Sequence, residues 1–425
     1  MAIFQELTWR ELVFQQTAGA QDYFDKHGGS SVYCGFDPTS DSLHVGSLVP
    51  LLALRRFQLQ GYIPIALAGG ATGLIGDPSG KASERTLQTE ATVRAWTDKI
   101  KLQLEKFLDF SPGKYSAKVV NNLDWTKPLS TIEYLRDVGK HFTVNWMMGK
   151  DSVKTRIDRE ESGISYTEFS YMLLQAYDFY YLFEKHGCSV QIGGSDQWGN
   201  ITAGIELVHK KLHKQAFGLT LPLVTTASGA KFGKTEAGAV WLDPEKTSPY
   251  AYYQFWLNVD DKDAIRYLKF FTFLDQIKIT ELEGHLKTKP EHRDAQKALA
   301  SEMTKLTHGQ AELKKVMQAS EALFGAGEFS SLDEKTLLEA VGAAPSIEIA
   351  SGDSVGKINQ LLVETKLCAS KSQANQMVQG GGVYMNNKRI EDPNFQPTSN
   401  DFLFGKFLLL RRGKKNYALV RIKGK

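Results

Sequence analysis

The 425-residue chain has only three cysteines, Cys34, Cys188 and Cys368, widely separated and odd in number. They form no disulfide framework and no metal-ligand spacing, and they fit a reducing compartment: the cytoplasm, with an organelle matrix equally compatible. No stretch approaches the roughly 18 consecutive apolar residues of a membrane span, so no membrane partner is expected. The first ten residues lack a basic lead with an apolar run behind it, and a secretory leader is not expected. No internal repeat is visible. Charge of either sign is not in excess: the formal net charge is +3, with 42% apolar and 23% charged residues. Those are ordinary values for a globular protein with a sizeable core, and the length suits two or three domains.

The near-neutral total conceals an asymmetry. Residues 353–425 carry 13 Lys/Arg against 5 Asp/Glu, a net of +8, while the rest carries 38 against 43. A basic module on an acidic body suits a polyanionic partner, and equally a well-solvated tail.

Residues 31–36 read as a short strand, broken by Asp37-Pro38-Thr39. From His44 to Gln60 apolar residues recur at helical spacing (Val45, Leu48, Leu51, Leu52, Phe57), and Gly61 stops the run. Residues 63–68 form a continuous apolar strand ending in Gly69-Gly70. Strand–helix–strand implies a parallel sheet with a ligand crevice at the strand C-termini. A further strand ends at Gln191-Ile192-Gly193-Gly194, and another spans 218–226 before a Gly-rich stretch, 228–234. Amphipathic segments such as 262–271 and 292–306 predict a helical domain over 249–324. Residues 325–352, rich in Gly, Ala and Ser, read as a linker. The basic module follows at 353–425: two short helices, then strands, with a last hairpin turning at Arg411-Arg412-Gly413-Lys414-Lys415.

Two segments could carry phosphate chemistry. Asp41-Ser42-Leu43-His44-Val45-Gly46-Ser47 lies where the first strand turns into the first helix. A helix N-terminus there favours phosphate, His44 adds a donor, and Gly46 permits close approach. A cap with a packing glycine reads the same way. Ser228-Gly229-Ala230-Lys231-Phe232-Gly233-Lys234-Thr235 nearly spells a Walker A loop, but its glycines enclose three residues where that loop needs four. A loop with two lysines can still clamp a pyrophosphate as charge builds on it; a solvated Lys turn is the plain alternative. Lys81 and Arg85 stand at i, i+4 after a Gly-rich loop, either as a basic pair for pyrophosphate or as a solvated helix face. Tyr171, Gln175 and Asp178 stand at i, i+4 and i+7 on one face of an otherwise apolar helical run over 166–185. A polar stripe on a buried helix needs partners, whether internal or a ligand.

Taken together, His44-Val45-Gly46-Ser47 and Lys231-Phe232-Gly233-Lys234-Thr235 resemble the two signatures of class I aminoacyl-tRNA synthetases, His-Ile-Gly-His and Lys-Met-Ser-Lys-Ser. Tyr33-Cys34-Gly35-Phe36-Asp37-Pro38-Thr39, the run 69–81 and the run 191–200 narrow the resemblance to the bacterial-type tyrosyl family, over essentially the whole chain. The basic tail resembles a small RNA-binding fold shared with a ribosomal small-subunit protein and some pseudouridine synthases.

The resemblance implies a Rossmann-like α/β catalytic domain over 1–248. An insertion around 110–190 would lie at a homodimer interface. An α-helical anticodon-side domain (249–324), a linker and a small α+β RNA-binding domain would follow. It implies that Tyr33 and Asp178 bind the substrate phenol and that Asp77, Tyr171 and Gln175 hold its ammonium, with Gln191 and Gln197 near the amino acid. Cys34, Asp37, His44, Gly46, Ser47, Gly194, Asp196, Leu223, Val224, Lys231 and Lys234 would bind ATP. Catalytic work would fall to Thr39, His44, Lys231, Lys234 and Thr235, with Lys81 and Arg85 in support. Tyrosine, ATP with Mg2+, and tRNA(Tyr) are the implied substrates and partners, with no tightly held protein metal. One departure stands out. Ser47 occupies a position where the family usually has His; it can hydrogen-bond but carries no charge, so His44 bears more of that role. Two other readings exist. A tryptophan-specific relative typically lacks the basic tail, and Tyr33 with Asp178 suits a phenol better than an indole. A synthetase-like RNA-binding protein without activity is disfavoured by the intact lysines of 231–235.

Overall fold

The computed structural model describes residues 2–79, 86–150, 153–154, 157, 163–227, 229, 232–235, 238–324, 329, 332–341, 344–349, 355–413 and 416–423. The chain divides into two compact units, Met1–Lys246 with Val259–Leu299, and Thr247–Asn258 with Ala300–Lys425. The span 249–324, expected as one helical domain, is thereby split: 259–299 belongs to the first unit.

The first unit is built on a six-stranded sheet. Its strands are β1 (Gln15–Gln16), β2 (Ser31–Phe36), β3 (Ile63–Ala68), β4 (Lys118–Asn121), β5 (Cys188–Gly194) and β6 (Phe217–Leu221), in the order β1-β6-β5-β2-β3-β4. All are parallel except the edge strand β1, which runs antiparallel to β6. After β2 the chain adds strands to one side, then returns to add β5 and β6 on the other. That order reversal lies between β2 and β5, where a doubly wound sheet opens a crevice at the C-termini of its strands. Because both faces are covered, the central strands are apolar throughout: Val32, Tyr33 and Cys34 are buried, as are Ile65, Ala66 and Leu67. β6 stops at Leu221, short of the expected 226, because Pro222 has no N–H to give the ladder.

Four helices matter for the crevice: α1 (Leu48–Leu59), α2 (Glu90–Leu104), α3 (Tyr166–His186) and α4 (Trp198–Leu212). The expected helix from His44 begins instead as a short 3-10 turn, Val45–Ser47, with His44 as its cap. The helix α5 (Asp261–Phe271) brings Tyr267 and Phe271 against Phe232. α3 and α4 pack closely because Gly204 has no side chain: a Cβ there would stand 2.8 Å from both Cβ and Cδ1 of Phe179. Phe179 is fully buried, worth about 1.5–3 kcal/mol, and is the immediate neighbour of Asp178.

The second unit contains helix Pro249–Leu257, α6 (Gln310–Phe324), α7 (Glu334–Val341), and the module with α8 (Ile358–Glu364) and α9 (Lys371–Gln379). With β7 (Lys234–Thr235) and β8 (Gly238–Ala239) forming a separate ribbon in the first unit, the strands here are β9 (Ser346–Ile349), β10 (Val383–Met385), β11 (Lys388–Arg389), β12 (Phe407–Arg412) and β13 (Asn416–Ile422). Their order is β11-β10-β12-β13-β9. The expected terminal hairpin is present, pairing Leu408 with Val420 and Leu410 with Ala418. The expected linker is not wholly one. It holds α7, with Leu337 and Val341 buried one turn apart, and β9, whose Ile347 pairs in parallel with Val420. Its Gly, Ala and Ser content hid a short apolar helix and strand.

Substituting Gly204→Val should lower the stability of the first unit by about 1–3 kcal/mol, overpacking outweighing the gain in helix propensity. A urea titration followed by tryptophan fluorescence reads this as a lower midpoint; an unchanged midpoint contradicts the close packing of α3 on α4.

Candidate active site

A cavity of about 560 Å³ opens where the C-termini of the parallel strands meet α3. It is lined by residues from separate elements. β2 and its turn supply Tyr33, Cys34 and Asp37; the 3-10 turn gives His44 and Gly46; Asp77 follows β3. Tyr171, Gln175 and Asp178 come from α3, Gln191 and Gly194 from β5, Asp196 and Gln197 from the turn into α4, and Leu223 and Val224 from beyond β6. These fifteen expected residues are brought together. Thr39, which is exposed, and Ser47 do not line the cavity. Lys81, Arg85 and Lys231 lie outside the described residues, as do the side chains of Lys234 and Thr235, whose main chain pairs with β8.

One buried network organises the side of the cavity toward α3. Asp178 is 2% exposed. Its carboxylate accepts from Asn122 Nδ2 at 3.0 Å and Trp125 Nε1 at 2.8 Å. Asn122 also donates to Thr72 Oγ1, and its own oxygen accepts from the Ala71 N–H. Thr72 donates to Asp37 Oδ1 at 2.7 Å, and Tyr171 donates its hydroxyl to Asp37 Oδ2 at 2.7 Å. Asp37, expected beside ATP, thus lines the cavity with its carboxylate engaged by Tyr171 and Thr72. Gly69 is required for this approach: a Cβ there would lie 2.0 Å from Asp37 Oδ1. Asp77 accepts from Gln197 Nε2 at 2.7 Å and from the Ser79 N–H, and Gln197 in turn accepts from Asn200.

Burial pushes the Asp178 carboxyl up to about 7, against the pull of its two donors, which favour the ionised form. Burial, followed by the Asp178 charge, holds the Tyr33 hydroxyl well above its ordinary value, so it stays a phenol. Burial likewise pushes the Cys34 thiol up to about 12. The Tyr33 hydroxyl and Gln191 Oε1 are buried with no hydrogen-bond partner among the described residues. Unpaired polar atoms in a dry wall are costly, and a ligand that satisfies them is bound selectively.

At the 3-10 turn, Gly46 N–H donates to His44 Nδ1 at 3.0 Å. That accepting role leaves the ring proton on Nε2 as a donor. Residues 43–45 run against 240–242, with Leu242 N–H donating to Leu43 O and Val45 N–H to Val240 O. Val240 N–H in turn donates to Gly233 O. The two sequence signatures are therefore adjacent. Among the described residues no three His, Cys, Asp or Glu side chains are arranged to hold a metal, and no helix is long and apolar enough to cross a membrane.

Asn122, Trp125 and Thr72 escaped the sequence reading. Asn122 sits on the turn after β4, Trp125 in the four-residue helix that follows it, and Thr72 at the start of another four-residue helix after β3, all too short for a periodicity to mark them. The only signal was a polar Asn121-Asn122 pair closing an apolar strand.

A parallel sheet with its cavity at the switch point, His44 and Gly46 near the Gly233 turn, and a carboxylate-lined pocket fit a class of nucleotide-using ligases. The family model described as "tRNA synthetases class I (W and Y)" matches residues 25–325, and one described as "Tyrosine--tRNA ligase SYY-like C-terminal domain" matches 337–420. The chain belongs to the class I tRNA synthetases of the tryptophan and tyrosine type. Within them it is a tyrosine–tRNA ligase. It is 54% identical over 424 residues to the tyrosine–tRNA ligase of Bacillus caldotenax, covering 99% of this chain and 100% of that one. It is 51% identical, over the same shares, to tyrosine–tRNA ligase 1 of Bacillus anthracis. Among solved structures, a C-terminally truncated mitochondrial tyrosyl-tRNA synthetase of Aspergillus nidulans superposes with TM-score 0.67 at 32% identity, over 75% of this chain and 94% of that one. A tryptophanyl-tRNA synthetase of Encephalitozoon cuniculi, at 14% identity and TM-score 0.52 over 73% and 87%, shares the fold. The enzyme uses ATP to activate tyrosine as tyrosyl-adenylate, releasing pyrophosphate, and transfers tyrosine to the 3' end of tRNA(Tyr).

If the ionised Asp178 accepts the tyrosine phenol, tyrosine binding must pay for deprotonation below the carboxyl's midpoint. Tyrosine affinity should then rise with pH up to about 7 and level off above it, weakening by up to about tenfold per unit below. Equilibrium binding by fluorescence checks this. Asp178→Asn should flatten the profile, and a wild-type profile flat from pH 5.5 to 8 contradicts it.

Proposed function

We propose that the cavity is the site where tyrosyl-adenylate forms and that its polar lining reads the two ends of tyrosine. The observation that carries this reading is the unpartnered Tyr33 hydroxyl in the same buried wall as the donor-held Asp178 carboxylate. A phenol O–H placed there donates to Asp178 and accepts from Tyr33. Phenylalanine leaves both unsatisfied, and its rejection by tyrosine enzymes is the standard illustration of that rule. Asp77, Tyr171 and Gln175 hold the ammonium, with Gln191 and Gln197 beside the amino acid.

ATP lies toward His44, Gly46, Gly194 and Asp196, with the ribose on Asp196 and the adenine along Leu223 and Val224. Cys34, Asp37 and Ser47 belong to the same nucleotide side. The tyrosine carboxylate attacks the α-phosphorus in line; a P–O bond forms as the α–β bridge breaks and pyrophosphate leaves. A carboxylate needs no general base. Catalysis is positioning plus charge stabilisation, from the His44 Nε2–H, Thr39, Lys231, Lys234 and Thr235, supported by Lys81 and Arg85. Ser47 supplies a hydroxyl where a charge would otherwise stand. Magnesium would accompany the ATP phosphates and would offset their charge.

The basic module binds tRNA phosphates, a role its net +8 over 353–425 supports; the helical segments of 249–324 face the anticodon side. The enzyme works as a homodimer through the 110–190 insertion, where Ile132, Val144 and Tyr166 are 71%, 59% and 72% exposed. Its three cysteines, buried and unpaired, suit the cytoplasm.

Two substitutions separate the ends of the amino acid. Asp178→Ala should lower kcat/KM for tyrosine by about 100-fold while changing that for phenylalanine little. Asp77→Ala should lower both by the same factor, because both substrates carry the ammonium. ATP–pyrophosphate exchange measures each. An unchanged tyrosine-to-phenylalanine ratio in Asp178→Ala would falsify the phenol-reading role.

A further inference from the structure

The segment that presents His44 is not held by the sheet. It is a loop, and a loop in a buried setting needs partners for its main chain. Those partners converge on one face of α2. Gln103, in the last turn of that helix, is 9% exposed. Its Oε1 accepts from the Leu43 N–H at 2.8 Å and its Nε2 donates to Ser42 Oγ at 3.0 Å. Ser42 Oγ donates to the Leu43 carbonyl and accepts from the Asp243 N–H. One turn earlier on the same face, Lys99 reaches Asp41 Oδ2 at 3.0 Å. The other Asp41 oxygen takes Lys246 at 2.5 Å. The two lysines hold the Asp41 carboxyl well below the usual carboxylate range.

These contacts tie three segments: α2, the loop 41–45, and the strap 240–246. The strap continues the chain of bonds, since Val240 N–H donates to Gly233 O inside the second signature. None of Lys99, Gln103 or Asp243 lines the cavity.

We propose that α2 is the positioning element for both nucleotide signatures, with Gln103 and Lys99 as positioning residues that fix the His44 loop directly and the Gly233 turn through the strap. Neither residue touches a reacting atom. They set where the His44 donor and the Gly233 turn stand when the α-phosphorus is attacked. None of the hydrogen bonds that join Asp178, Asn122, Trp125, Thr72, Asp37 and Tyr171 involves a residue of this clasp. Loss of the clasp should therefore appear in chemistry and not in amino-acid binding. This inference rests on the reading of His44 and 231–235 as the nucleotide signatures.

The test uses full-length enzyme with Gln103→Met, which keeps side-chain length and removes both polar atoms. Single-turnover adenylate formation at saturating tyrosine and ATP should slow by about 10- to 100-fold, the scale expected of a small misplacement of reacting groups. Tyrosine affinity by equilibrium titration should stay within about twofold. Gln103→Glu, which keeps the acceptor for the Leu43 N–H, should recover part of the rate. Lys99→Met should show the same signature more weakly, and it decides the matter if Gln103→Met does not fold. The proposal is overturned if the rate stays at the wild-type level in the folded variants, or if rate and tyrosine affinity fall in equal proportion, as a merely structural role requires. His44→Ala is measured alongside. If it slows adenylate formation and the α2 variants do not, the clasp alone is wrong. If His44→Ala leaves the rate unchanged, the nucleotide reading of His44 falls and the clasp with it.

Discussion

The site depends on keeping one carboxylate dry and paired. Removing Asp178 from water disfavours its charge, and burial alone would leave a neutral acid, a weaker acceptor for a phenol than the carboxylate. Asn122 and Trp125 each donate to one of its oxygens, which partly offsets that cost. The same Asn122 donates to Thr72, and Thr72 to Asp37, which takes the Tyr171 hydroxyl. Two acids are thereby linked through one hydrogen-bonded chain, with the rotamers of Asn122, Thr72 and Tyr171 set by each other. A network of this kind is specific only while every member is satisfied; the Tyr33 hydroxyl, buried beside it with no partner among the described residues, stands outside it.

The fold supplies this geometry through close approaches rather than through any single strong contact. Gly69 lets the end of β3 reach Asp37, and Gly204 lets α4 reach α3 beside Asp178. The parallel sheet contributes the other half. Its order reverses between β2 and β5, so Tyr33 and Gln191 stand on neighbouring strands, paired in register. The His44 loop is assembled differently, from loop against loop, with the bonds that hold it coming from α2 and from the 240–246 strap.

The sequence made the sheet and the polar stripe legible for physical reasons. β2 and β3 are short apolar runs closed by turn residues, and Tyr171, Gln175 and Asp178 fall at helical spacing on an otherwise apolar helix. Their convergence with Tyr33 required the resemblance, because spacing along a helix does not say what faces it. Asn122, Trp125 and Gln103 were not legible. A polar residue on a turn, or near the end of an amphipathic helix, reads as solvated until its partner is seen. The linker over 325–352 misled for the opposite reason: small residues dominated its composition, while Leu337 with Val341 and Ile347 with Ile349 carried the helix and strand periods at too short a length to stand out.

Asn122 and Trp125, as donors to Asp178, hold its carboxyl down against burial, so that more of it stands ionised for the proposed phenol. This is tested most directly by removing a donor that does not itself line the cavity. Trp125→Phe and Asn122→Ala should each raise the pH midpoint of tyrosine binding above the value of about 7 set by the intact site. Equilibrium titrations of tyrosine across pH 5.5 to 9, run on both variants and the parent, give that midpoint. An upward move in both is the expected result; a midpoint that stays in place or moves down contradicts the account.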